Sequence, residues 1–212
     1  MTSRAERDLF FGRLPLLTCR PMVPGMSNSN AAAVFTTADL AEAIRAVRTL
    51  LGIADVRHGE VDFEGVIRSS DVLAHVRHVL PDLEWWALAG KECGSSEAGG
   101  DPADCLPIRV FDWGRPLDRA EPFIAALGPD PAAVRWDLDG WPAVPEAGLE
   151  EVSQKYAYLT LSVNSRDLYQ DELSQDHTVH VHVRRDDQAA RIQWLADQVG
   201  GRFTGRVEMA PL

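Results

Sequence analysis

Apolar residues recur at every second position through much of the last third of the chain. Ala157, Leu159, Leu161 and Val163 alternate with Tyr156, Tyr158, Thr160 and Ser162. Val179, Val181 and Val183 alternate with Thr178, His180, His182 and Arg184. Side chains of a strand point to opposite faces in turn, so a period of two predicts strands with one buried and one polar face. Between Asp186 or Asp187, as a cap, and Gly200-Gly201 the period changes. Ala189, Ile192, Leu195, Ala196 and Val199 fall on one side of a helix. Alternation returns in "RFTGRVEM", with Phe203, Gly205, Val207 and Met209 against Arg202, Thr204, Arg206 and Glu208. Residues 155–212 therefore read as a β-β-α-β lobe.

Residues 35–142 read as an α+β lobe. Thr36 or Thr37 is the expected cap of a helix carrying Leu40, Ile44, Val47 and Leu51, with Asp39 in its first turn and Gly52 at its end. Val61, Phe63 and Ile67 predict a strand. Val72, Leu73, Val76, Val79 and Leu80 predict a second helix, capped by Ser69 or Ser70 and stopped by Pro81. "LEWWALAG" fits a strand or a buried helix, because a continuous apolar run has no period. "PIRVFDW" and "AVRWDLDGW" read as strands, the latter turning at Asp139-Gly140. A helix with Pro122 near its start lies between them.

Residues 143–154, with "PAVPEAG", read as a linker. Residues 1–34 read as an extended arm, since Pro15, Pro21 and Pro24 bar a long helix and "GMSNSN" looks like loop. The fold expected is α+β: mostly antiparallel sheet with helices packed on one face, as two lobes or one pseudo-two-lobed domain.

Charge narrows the partners. Lys and Arg number 21 and Asp and Glu 32, for a net charge of −11. That surface repels phosphate backbones and anionic lipid, so neither nucleic acid nor a membrane is expected as a partner, whereas a basic protein is. No apolar run reaches the ~20 residues of a membrane helix. Arg13 and Pro15 interrupt the start as a signal peptide. Three cysteines, an odd count, fit reduced thiols in a cytoplasmic protein, with a Cys93–Cys105 loop disulfide as the alternative.

The chemistry-bearing candidates are few. His180 and His182 share a strand face and sit ~7 Å apart at ~3.3 Å per residue. Such a pair can share a divalent metal, and Glu208 or the acids Asp171, Glu172 and Asp176 are the available third donors. A catalytic zinc takes three protein ligands and an open position, and spacing fixes no third one here. No cofactor is expected, and the two imidazoles are read as the solvated side of their strand. The His-x-Thr and His-x-Ser strands of two-histidine phosphoesterases do not occur. Asp71, His75 and His78 share a helix face opposite the apolar stripe. Gly-x-Ser-x-Gly, phosphate-loop and dinucleotide-loop motifs are absent. His58, in "RHGE", is a loop residue without a visible partner. Trp194 lies off its helix's apolar stripe, with Asp187, Arg191 and Gln198, so another part of the chain covers it or it anchors an interface.

The leading expectation is a non-catalytic acidic protein-binding module. An inhibitor or immunity-like protein for a basic partner is one concrete form, with contacts at Trp194, Tyr156, Tyr158, Asp171 and Glu172. The alternatives are a metal-dependent hydrolase or small-molecule-binding enzyme centred on His180 and His182, and an assembly subunit docking through the N-terminal arm.

Overall fold

The computed structural model describes residues 29–88, 95–97, 99–153, 157–170, 173–183 and 189–210. In chain order the elements are β1 (Ser29–Thr37), α1 (Leu40–Ile53), β2 (Glu60–Ile67), α2 (Ser70–Val79), β3 (Glu84–Ala87), β4 (Ile108–Arg115), α3 (Ala120–Leu127) and β5 (Ala132–Asp137). They continue with β6 (Gly140–Trp141), β7 (Val152–Ser153), β8 (Tyr158–Val163), β9 (His177–Val183), α4 (Ala189–Gln198) and β10 (Glu208–Ala210). Eight strands form one antiparallel sheet in the order β10-β1-β9-β8-β5-β2-β4-β3, and β6 pairs with β7 apart from it. The fold is α+β, as the periodicities predict.

Among the described residues, all four α-helices cover the same face. Val179, Val181, Leu159, Leu161, Val134, Trp136, Val61, Phe63 and Ile108 point from the sheet into one core. Ala46, Val47 and Leu50 of α1, Leu73 and Val76 of α2, Phe123 and Leu127 of α3, and Ile192 and Leu195 of α4 meet them there. Burial of apolar area at roughly 25 cal/mol per Å² is the main stabilising term of this layer.

Several local expectations change. Residues 29–34, placed by sequence at the end of an arm, belong to β1, which lies between β9 and β10. The cap of α1 is Asp39, whose carboxylate accepts from Ala41 N and Glu42 N at 2.8 and 3.3 Å, because Thr36 and Thr37 are already in the strand. The "RFTGRVEM" strand shrinks to Glu208–Ala210; Gly205 has φ +83°, a left-handed conformation that interrupts an extended run. The helical option for "LEWWALAG" gives way to β3. Across 143–154 the sheet continues from one side of the chain to the other, since β5 pairs with both β2 and β8. Among the described residues no helix is long and apolar enough to cross a membrane.

Candidate functional site: the helix-free sheet face

Antiparallel register lines up the polar positions on the face that the helices leave bare. One row runs Ala33, His180, Thr160, Arg135, Asp62 across β1, β9, β8, β5 and β2. A second runs Thr36, Thr178, Ser162, Ala133, Glu64, Phe111, Glu84, from β1 to β3. In a third, Glu208, Ala31 and His182 are neighbours in turn, the His182 ring meets Tyr158 edge-on at 5.7 Å, and Tyr158 pairs with Asp137 and Asp137 with Glu60.

The β1-β9-β8 part of this face is closed. His180 and His182 are each only 2% exposed, and Thr160, Ser162, Thr178 and Ser165 are buried with them. The solvated-face expectation for the two histidines is therefore wrong. Ala33 and Ala31, beside them on β1, leave room for the rings. The segment after β8 supplies a second layer. Leu168 packs on Ala31 and Ala210, the Tyr169 hydroxyl donates to Met209 O at 2.8 Å, and the Arg109 guanidinium donates to Gln170 Oε1 at 3.1 Å. Asn164 fixes the start of the segment by donating to the carbonyls of Gly128 and Asp130, both at 2.9 Å.

Burial keeps both imidazoles neutral. It pushes His180 down to about 4, against the attraction of Asp167. It holds His182 well below 6.5, with neighbouring His180 and Arg135 adding to the effect. His182 Nε2 and Thr160 Oγ1 share a 2.8 Å hydrogen bond, while among the described residues Ser162 Oγ and His180 Nδ1 are buried without a hydrogen-bond partner. A hydroxyl–imidazole pair is the material of nucleophilic catalysis, and both members of this one are buried.

Of the third donors proposed for a metal, Asp171 and Glu172 lie outside the described residues, and Asp176 pairs with Arg166. Glu208 lies two strands from His182, roughly 10 Å at ~4.8 Å per strand, and pairs with Arg206 at 3.2 Å. Among the described residues, no group of three His, Cys, Asp or Glu side chains could hold a metal ion.

The β5-β2-β4-β3 part of the face is polar, aromatic and partly open. Arg135 pairs with Asp62 and, at 3.1 Å, with Asp137, and its guanidinium lies 5.5 Å from the centre of the Tyr158 ring. Burial, together with repulsion from Asp62 and Glu60, raises Asp137 to about 6 despite Arg135. Arg109 pairs with Glu64. Beyond them Trp86, Phe111 and Trp113 form a tilted stack, with ring centres 3.7 Å and 5.9 Å apart.

A β-bulge aims Trp113 outward. Trp113 and Gly114 together face Asp62, where the β2–β4 register shifts. Asp112 accepts from Trp113 N at 3.0 Å and Arg115 Nε at 2.7 Å, and Asp62 accepts from Gly114 N at 2.8 Å. Gly114 has φ +62°, which glycine adopts without penalty. Trp113 remains 46% exposed, whereas Phe111 beneath it is buried.

The residues singled out by sequence fare differently. Trp194 is half-buried and packs against the main core. Arg191, expected beside it on the polar side, is buried and donates to Pro142 O at 3.1 Å and to Glu150 O. Tyr158 is half-buried, held between Arg135 and His182. Tyr156, Asp171, Glu172 and Cys93 lie outside the described residues, as does the N-terminal arm up to residue 28. His75 and His78 are exposed on α2. His58 has a partner that sequence did not show: Asp139 accepts its backbone N–H at 2.6 Å and meets its Nδ1 at 3.0 Å. Sequence reasoning also missed Trp113. Its one signal was strand alternation, which sets Phe111 and Trp113 opposite the core-facing Ile108 and Val110.

No family model, curated protein or solved structure matches the chain.

Proposed function

We propose that the chain is a non-catalytic protein-binding module that captures a basic partner on the β2-β4-β3 part of its helix-free face. The observation that carries this reading is the exposed Trp113 indole, stacked on the buried Phe111 and through it on the half-buried Trp86, on a face that none of the described helices covers. Exposed aromatics surrounded by polar groups are typical anchors of protein interfaces. The charge of −11 suits a basic partner and would speed its encounter. An inhibitor or immunity-like protein, which covers a basic site on its target, is the concrete form we favour. A cytoplasmic setting belongs to the same proposal and rests on the odd cysteine count.

The test begins with retention of partners on the immobilised chain. A retained protein is then purified and titrated by calorimetry against wild type, Trp113→Ala and Glu84→Lys. Each variant should weaken binding by about tenfold or more, the range of an interface anchor. Undiminished binding to both variants overturns the proposal.

A further inference from the structure

The open face already shows how it holds a guanidinium. Arg135 lies over the Tyr158 ring and between two carboxylates, Asp62 of the next strand and Asp137 of its own. The same three components recur around Trp113. On one side Glu60 of β2 brings its Oε2 to 3.3 Å from where a side chain at Gly114 would begin. On the other, Glu84 of β3 stands opposite Phe111, diagonal to Trp113. The two glutamates lie on strands either side of β4, so about 10 Å separates their backbones at ~4.8 Å per strand. A planar cation held between the two carboxylates would lie at the Trp113 indole.

Among the described residues nothing fills that position. The arginines nearby are engaged elsewhere: Arg115 with Asp112, Arg109 with Glu64 and Gln170, Arg135 with Asp62 and Asp137. Among the described residues neither Glu60 nor Glu84 forms an ion pair, and no cation lies over Trp113.

We infer that Trp113, Glu60 and Glu84 form a receptor for an arginine side chain presented by the basic partner. The inference rests on the binding-module reading and names the group that module recognises. Arginine is preferred to lysine because its flat guanidinium stacks on an indole and can still donate in its plane to carboxylates on both sides. A lysine ammonium is a compact, more strongly hydrated charge.

The probe is a short capped peptide of alternating glycine and arginine, compared with its lysine and citrulline counterparts. The indole N–H signals of ¹⁵N-labelled protein report which of the six tryptophans responds. The arginine peptide should shift the Trp113 signal saturably, the lysine peptide should bind more weakly, and neutral citrulline should not bind. Trp113→Ala and the double variant Glu60→Gln/Glu84→Gln should each weaken binding about tenfold, and Trp113→Phe should keep part of it. Unchanged thermal melts show that the variants fold. Equal arginine and lysine affinities that ignore Trp113 would reduce the effect to net charge and overturn the inference, as would no binding.

The purified partner separates the two proposals. If Trp113→Ala impairs its capture while the double glutamine variant does not, the module stands and the arginine receptor falls. Capture indifferent to Trp113→Ala and Glu84→Lys removes the module itself.

Discussion

His180 is a titratable group locked in the neutral state inside a β-sheet protein, and that makes stability depend on pH. Its folded value, about 4, lies below the 6.5 of an unperturbed imidazole. The unfolded chain therefore binds a proton that the folded chain refuses. Stability is fully present above pH 6.5 and is lost as pH falls toward 4, by an amount on the order of 3 kcal/mol at 1.36 kcal/mol per unit. His182 and His177, also lowered by burial, act in the same sense. Asp137 acts in the opposite sense. Its value is raised to about 6, so the folded state binds protons more readily than the unfolded one between there and 3.8. Urea unfolding at pH 7.5, 6 and 4.5 should show a net loss on acidification. His180→Leu should shrink that loss and Asp137→Asn should enlarge it. A wild-type stability flat across this range would contradict the burial of the imidazoles. The histidines also show what alternation conveys. A period of two placed His180 and His182 on one face, opposite the valines. It could not reveal the cover, because residues 164–170 are held by Leu168, by the Tyr169 hydroxyl and by backbone carbonyls, and none of these contacts is periodic in sequence.

Two glycines decide how elements meet. A β-carbon added at Gly201, just beyond α4, would run into Val34 O, a backbone atom of β1 with no freedom to withdraw. The next residue donates its N–H to that same carbonyl at 3.1 Å. Gly201→Ala must therefore push the end of α4 away from the sheet, at a cost of about 1–3 kcal/mol or more, readable as a lower midpoint of chemical unfolding. An unchanged midpoint would mean that α4 does not approach β1 so closely. Gly114→Ala tests the bulge. There the added carbon meets only the flexible Glu60 carboxylate at 3.3 Å, but φ +62° is strained for alanine. A stability loss of about 1 kcal/mol is expected, together with weaker binding at Trp113, whose direction the bulge sets. Gly201 was readable from sequence as a helix terminus, and its approach to β1 was not. β1 itself was hidden because Ala31, Ala32 and Ala33 carry no β signature. Their use is tertiary: Ala32 and Val34 join the main core, and Ala31 and Ala33 leave space beside His182 and His180.

At the scale of the molecule, strand order departs from chain order. β1 and β10, the first and last strands described, pair with each other, and β5 pairs with β2 on one side and β8 on the other. The stretch at 143–154, with Pro145 and Gly148 near its start, looks like a linker because composition reports local backbone freedom. Strand pairing between distant residues leaves no such local mark. The Arg191 guanidinium ties this stretch down by donating to Pro142 O and Glu150 O, so even the apparent linker is held by α4. A continuous sheet with a shared core has no plane along which one part can unfold without exposing apolar surface of the other. Thermal unfolding should then be a single transition, with the calorimetric and van't Hoff enthalpies equal and with far-ultraviolet dichroism and tryptophan fluorescence coincident. Residues 155–212 made alone should remain unfolded, because β8 would lose β5, β9 would lose β1, and Leu159, Leu161 and Val181 would face water in place of the core. Two resolved transitions, or a folded 155–212 fragment, would show that the halves are independent lobes.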